Sequence, residues 1–136
     1  MSNLTFVGLV SLNDPPRIGV DMAVEKCRQA GIKVIMVTGD QPTTAAAIAH
    51  KVNIITEPEK EYFTMIKRGI PKDKAWRDCK AIVVHGDLLA ELHSNEGNLD
   101  DNDPEKGRFL VEWISKPEVV FARTTPSQKL LIVHAC

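Results

Sequence analysis

The sequence predicts a doubly wound α/β fold built on a mainly parallel sheet. Two observations carry this. Short apolar, β-branched runs alternate with stretches of helical periodicity, and the connections between them are short. Two of the runs, Val34-Ile35-Met36-Val37-Thr38-Gly39-Asp40 and Ala81-Ile82-Val83-Val84-His85-Gly86, reach a glycine just before a helix begins. A chain of 136 residues is one domain's worth, long enough for a single core.

The first run, Leu4 to Leu12, reads as a buried strand, broken by Asn13-Asp14-Pro15-Pro16-Arg17 because paired prolines cannot continue a ladder. Gly19 to Ala30 is helical: Val20, Ala23, Val24 and Cys27 share one face, and Gly31 stands where a C-terminal cap glycine belongs. Lys33 to Val37 is the next strand. Thr43 or Thr44 is expected to cap an alanine-rich helix ending near Val52. Thr56 to Arg77 is polar and charged, and reads as a surface excursion with a short helix around Glu61 to Lys67. Ala81 to Gly86 is a strand, and Asp87 is expected to cap a helix running to about His93. Ser94 to Lys106 reads as an acidic, disordered loop. Phe109, Leu110, Trp113 and Ile114 fit one helix face, and Val119 to Ala122 is a short strand. Thr125 then caps a final helix that has Pro126 at its favoured first position. No internal repeat is visible.

Composition excludes several function classes. The formal net charge of -1 gives no broad attraction to nucleic acid or anionic lipid. Trp76 and Trp113 lack the basic interleaving of a single-strand stacking surface. No apolar run nears the ~20 residues that span a bilayer, and the first residues carry no signal peptide. Cys27, Cys79 and Cys136 lack metal-ligand spacing and read as reduced thiols in a cytosolic setting. The chain opens almost directly into a strand and stops inside an uncapped helix, so a piece of a longer polypeptide is expected.

Two constellations carry chemistry. Thr38, Gly39 and Asp40 close a strand at the carboxyl end of a parallel sheet, where ligands bind in open α/β folds. Glycine permits close backbone approach, Thr38 offers a hydroxyl, and the amides of the turn and the new helix attract an anion. In Phe121-Ala122-Arg123-Thr124-Thr125-Pro126-Ser127-Gln128-Lys129, an arginine tips a strand and a lysine rides the first turn of the next helix. Lys129 can neutralise a phosphoryl group as a compact charge, and Arg123 can reach a ribose or phosphate with its planar fork. Asp100, Asp101 and Asp103 lack the glycine and terminal glutamate of a calcium loop, so a solvated insertion is the better reading. His85 with Asp87 is a conceivable catalytic pair, but a strand-end histidine before a capping aspartate is plainer.

Asp14-Pro15-Pro16-Arg17, Met36-Val37-Thr38-Gly39-Asp40, and Phe121-Ala122-Arg123 with Lys129 stand together in that order. The combination strongly resembles the phosphorylation domain of P-type cation-transporting ATPases, members of the haloacid dehalogenase superfamily. Asp78-Cys79-Lys80-Ala81-Ile82-Val83-Val84-His85-Gly86 resembles the sodium/potassium and proton/potassium pump branch in particular. The resemblance runs over nearly the whole chain. It implies an incomplete, Rossmann-like sheet with helices on both faces, spanning residues 1–136 as a partial cytosolic phosphorylation domain of an integral membrane protein. It implies that Thr38, Gly39 and Asp40 face the terminal phosphate and nucleotide, that Lys129 contacts the phosphorylated aspartate, and that Arg123 lies near the nucleotide. Asp14 and Arg17 match the segment just after the hinge from the nucleotide-binding domain. ATP and Mg2+ are the implied cofactors. A cation bound by membrane helices and a beta subunit are the implied partners, with no nucleic acid.

Departures from the family pattern matter as much. The Asp-Lys-Thr-Gly-Thr motif with the phosphorylated aspartate is not in this sequence, nor is the Gly-Asp-Gly-Val-Asn-Asp segment that supplies the magnesium ligand. Covalent phosphoryl transfer needs that nucleophile and a metal to offset charge, so the segment alone is expected to be inactive. Gln41 stands where a histidine is usual and Ala47 where a lysine is usual. Two rivals follow: a stand-alone phosphatase of the same superfamily, which lacks its nucleophile here, and a non-enzymatic α/β module with Glu57 to Lys80 as its contact surface.

Overall fold

The computed structural model describes residues 5–10, 15–94 and 104–136, with the backbone alone for residues 91–94 and 104–109. Three parallel strands, β1 (Ile35–Val37), β2 (Ala81–His85) and β3 (Glu118–Ala122), pair in the order β1-β3-β2. The last strand in sequence therefore lies between the other two. Ile35 is opposite Val119 on one side of β3, and Ile82 is opposite Val119 on the other.

Side chains alternate across the sheet, and each face has its own core. Ala81, Val83, Val120 and Ala122 pack with Val24 of α1 (Val20–Gln29) and with Ala45 and Ala49 of α2 (Pro42–Lys51). Ile82, Val84, Val119 and Phe121 turn the other way, onto Leu89 of α5 (Gly86–Ser94), Leu110 of α6 (Pro104–Ser115) and Ile132 of α7 (Pro126–Ala135). Helices on both faces of a parallel sheet are the doubly wound arrangement expected.

Four local expectations are corrected. Residues 5–10 form no strand; Phe6, Val7, Leu9 and Val10 are 79–97% exposed. An apolar extended run is buried only where a neighbouring strand takes its hydrogen bonds, and this one lies off the sheet. Its flanking residues, with Asp14 among them, lie outside the described residues. The start of α2 is not capped by Thr43 or Thr44. Pro42 takes its first position, where a missing N–H is harmless, behind Gln41.

The polar middle is not a mere surface excursion. A 3-10 turn (Pro58–Lys60), α3 (Tyr62–Lys67) and α4 (Lys72–Asp78) enclose a small core of Met65, Ala75 and Cys79. The buried Glu61 carboxylate caps α3 by accepting from the amides of Phe63 and Thr64, and also accepts from the Val83 N–H at 3.3 Å. This covers the outer edge of β2, whereas among the described residues β1 pairs only with β3, and its side chains stay half-buried. Finally, the expected acidic loop from Ser94 to Lys106 falls mostly outside the described residues, and α6 already begins at Pro104.

The amino end of the sheet is closed by ionic contacts. Buried Glu118 accepts from the Thr56 amide and hydroxyl, with Lys80 at 3.6 Å and Arg28 at 3.9 Å. Glu57 bonds Lys60 and Lys80, whose hydrogen bonds lower its pKa from 4.5 to about 2. A depressed carboxylate contributes stability above its unfolded pKa and loses it as pH falls through the folded value. Acid titration should therefore show wild type losing stability between pH 4.5 and about 2 more steeply than Glu57→Gln. Parallel curves would remove this contact from the acid response.

Candidate phosphate site at the carboxyl ends of the strands

The opposite end of the sheet is tied together by backbone bonds between the ends of β1 and β3 and by a side-chain bond to the end of β2. Thr38, the residue after β1, donates its N–H to the Phe121 carbonyl at 2.9 Å, extending the ladder by one step. Its hydroxyl accepts from the Asp40 N–H at 3.1 Å, a short side-chain turn that shapes Thr38-Gly39-Asp40. Asp40 then accepts, through its carbonyl, the Arg123 N–H at 2.8 Å. Thr124, itself buried, donates both its N–H and its hydroxyl to the Thr38 carbonyl at 3.1 Å each. The ends of β1 and β3 are therefore locked in register.

Arg123 makes this possible through an unusual backbone. Its φ is 55°, in the left-handed region that non-glycine residues rarely enter. Such a conformation persists where the surroundings impose it and clusters at functional sites. Here it reverses the chain between β3 and the Thr125 cap. The β2 end is pulled in by Gly86, where a Cβ would lie 2.3 Å from the Arg123 carbonyl oxygen. Gln128 completes the brace: its Nε2 donates to the Gly86 carbonyl at 2.9 Å, while its Oε1 accepts from the Thr125 N–H.

Lys129 is exposed on the first turn of α7, one residue beyond this brace. Arg17 precedes α1, and its carbonyl accepts the Val20 N–H at 3.4 Å. The short connection from α1 into β1 brings the end of that helix to the amino end of the sheet. Its start, with Arg17, lies at the carboxyl end. Among the described residues, the Asp40 carboxylate and the Arg17, Arg123 and Lys129 cations have no hydrogen-bond or ion-pair partner. Unpaired cations beside turn amides and a threonine suit an anionic ligand. Among the described residues no group of three His, Cys, Asp or Glu is placed to hold a metal.

Thr38, Gly39, Asp40 and Arg123 are thus brought together by bonds, whereas Lys129 stands one residue past Gln128 on α7 and Arg17 shares only that end of the sheet. Sequence reasoning missed Thr124, Gly86 and Gln128 as the parts that hold the strand ends. Gln128 left a signal: Thr125 with Gln128 three positions later is a capping-box pattern, and both of its bonds are present.

The model of the haloacid dehalogenase-like hydrolase family matches residues 2–95, including the Thr38-Gly39-Asp40 turn. The chain belongs to that family. It is also 50% identical over 139 aligned positions to the sodium/potassium-transporting ATPase subunit alpha-4 of Homo sapiens, covering 100% of this chain. The sodium/potassium-transporting ATPase subunit alpha of Tetronarce californica is 50% identical over 100% of the chain, and alpha-1 of Oreochromis mossambicus 49% over 98%. The chain spans 12% of the length of each of these relatives. Their similarity extends past residue 95, through the Arg123–Lys129 constellation of this haloacid dehalogenase-like chain. No helix among the described residues is long and apolar enough to cross a membrane.

Proposed function

We propose that this chain is part of the cytosolic phosphorylation domain of a P-type ATPase of the sodium/potassium branch. The whole protein would couple ATP hydrolysis, through an aspartyl phosphate, to cation movement across a membrane. The single observation that carries this reading is the knot at the strand ends. Thr38, Asp40 and Arg123 are held by mutual backbone bonds, and Lys129 stands on the first turn of α7, one residue past Gln128.

In this reading Lys129 offsets the charge of the phosphoryl group as a compact cation. Thr38 and the amides of the turn hold the terminal phosphate, and Asp40 and Arg123 orient the nucleotide. Asp14 and Arg17 belong to the approach from a nucleotide-binding domain. The nucleophilic aspartate and the magnesium ligand lie in segments that this sequence does not contain. A beta subunit and membrane helices that choose the cation belong to the full-length protein.

The test is transfer of the γ-phosphate of labelled ATP to the full-length polypeptide that carries this segment. The expected product is a phosphoprotein that hydroxylamine releases, as an acyl phosphate requires, with the label outside residues 1–136. A full-length polypeptide that takes up no label from ATP would remove the proposal.

A further inference from the structure

Both tryptophans of the chain line one cleft beside β2, which the phosphate reading does not use. Tyr62 and Phe63 of α3, Trp76 of α4 and Trp113 of α6 form its walls. The buried Ile82 and Val84 of β2 lie at its base, with Leu88 of α5. α3 and α4 close around Met65, Ala75 and Cys79, a core of their own, so the space between them and α6 stays unfilled. Tyr62 and Trp76 stand where that small core meets the second face of the sheet. The cleft measures about 660 Å³, within the ~300–1,000 Å³ of small-molecule sites.

Aromatic contacts set the walls. Tyr62 meets Phe63 edge to face with centroids 5.0 Å apart, and Trp76 likewise at 5.5 Å. Lys116 Nζ stands 4.2 Å from the centroid of the Trp76 ring and donates to the Trp76 carbonyl. The rim is charged. Lys72 and Arg77 of α4 are exposed. Among the described residues Lys72 has no partner, and Arg77 has only a bond from Nε to the Asp73 carbonyl at 3.4 Å. Two carboxylates line the same cleft, and Glu112 has an interaction of its own, which leaves Asp73 against two free cations. A ligand cation would add to Lys72, Arg77 and the Lys116 already on Trp76; a ligand anion answers them. The Tyr62 hydroxyl also has no partner among the described residues, and burial pushes its pKa up, so it stays a proton donor.

We infer that this cleft binds a flat aromatic molecule that carries one carboxylate or sulfonate. Its rings lie against the aromatic walls, where offset and edge-to-face contacts add to the burial of apolar surface. Its acid group accepts from Arg77, whose planar fork matches two oxygens, with Lys72 as a second charge. The assignment is independent of the phosphate reading, because no residue of the strand-end site lines the cleft.

The experiment photolabels the full-length polypeptide with 4-benzoylbenzoate, a photoreactive aromatic carboxylate, or with its uncharged amide, and maps the labelled residues by mass spectrometry. Wild type should show saturable labelling of residues that line the cleft. The acid should half-saturate at about a tenth of the amide's concentration, the scale of a charge-assisted hydrogen bond. In the Lys72→Gln, Arg77→Gln double variant the acid should need the amide's concentration, while the amide curve stays where it was. Both positions are exposed, so the fold should hold, and a thermal melt checks it. Absence of saturable label in the cleft, as when another part of the polypeptide or a protein partner covers it, would overturn the assignment. Equal half-saturation by acid and amide in wild type, or an acid preference that survives the double variant, would do the same.

Discussion

Lys129→Ala is expected to slow phosphorylation from ATP in the full-length polypeptide by about 100-fold, the scale of losing one preorganised electrostatic contact. The fold gives the substitution little else to disturb. The Lys129 side chain is exposed and without a partner among the described residues, and its N–H bond to the Thr125 carbonyl is a backbone contact that alanine keeps. Alanine is also a slightly better helix former than lysine. Stability should stay level while phosphorylation falls. Lys129→Arg should recover part of the rate, since a guanidinium keeps the charge but spreads it over a larger planar group. Quench-flow measurement of the phosphorylated protein, with a thermal melt of each variant, separates the two effects. A normal rate in Lys129→Ala, or a loss matched by unfolding, would end the proposed role.

Gly86→Ala is expected to destabilise the fold by about 2–3 kcal/mol, through overpacking against backbone that cannot swing aside. The new Cβ would meet the Arg123 carbonyl oxygen at 2.3 Å and the carbonyl carbon at 3.0 Å. Relief requires β2 and β3 to part at their carboxyl ends, which also strains the bond from Gln128 to the Gly86 carbonyl. Gly39→Ala is the control. A Cβ there meets nothing within 4 Å, so stability should change by less than about 1 kcal/mol. Denaturant midpoints compare the two. Equal, small changes would mean that the strand ends yield more readily than the geometry implies.

These two glycines show how far the sequence alone can be read. Both precede helices after apolar runs, and both were legible as strand ends. Nothing local separates Gly86, which lies against another strand's carbonyl, from Gly39, which lies in open space. The capping box at Thr125 was legible because its partners are three residues apart, yet the reach of Gln128 to Gly86, across 42 residues, was not. His85 was legible as the end of β2, but Asp87 lies inside α5, and the cap bond runs from its N–H to His85 Nδ1. The direction of a cap depends on where the helix starts.

Sequence periodicity and punctuation by themselves determined the parallel α/β class, the three strands that formed, the long helices flanking them, and the Thr38-Gly39-Asp40 and Arg123–Lys129 constellations. These are signals carried within a few residues, where side-chain spacing and backbone preference act directly. Only the tertiary structure decided that β3 lies between β1 and β2, that residues 5–10 stay unpaired, and that α3 and α4 enclose a core of their own. It also decided that Gly86, Thr124 and Gln128 bind the strand ends into one block. Strand pairing and side-chain burial are settled by which distant residues compete for the same hydrogen bonds and apolar surface, and no local pattern records that competition.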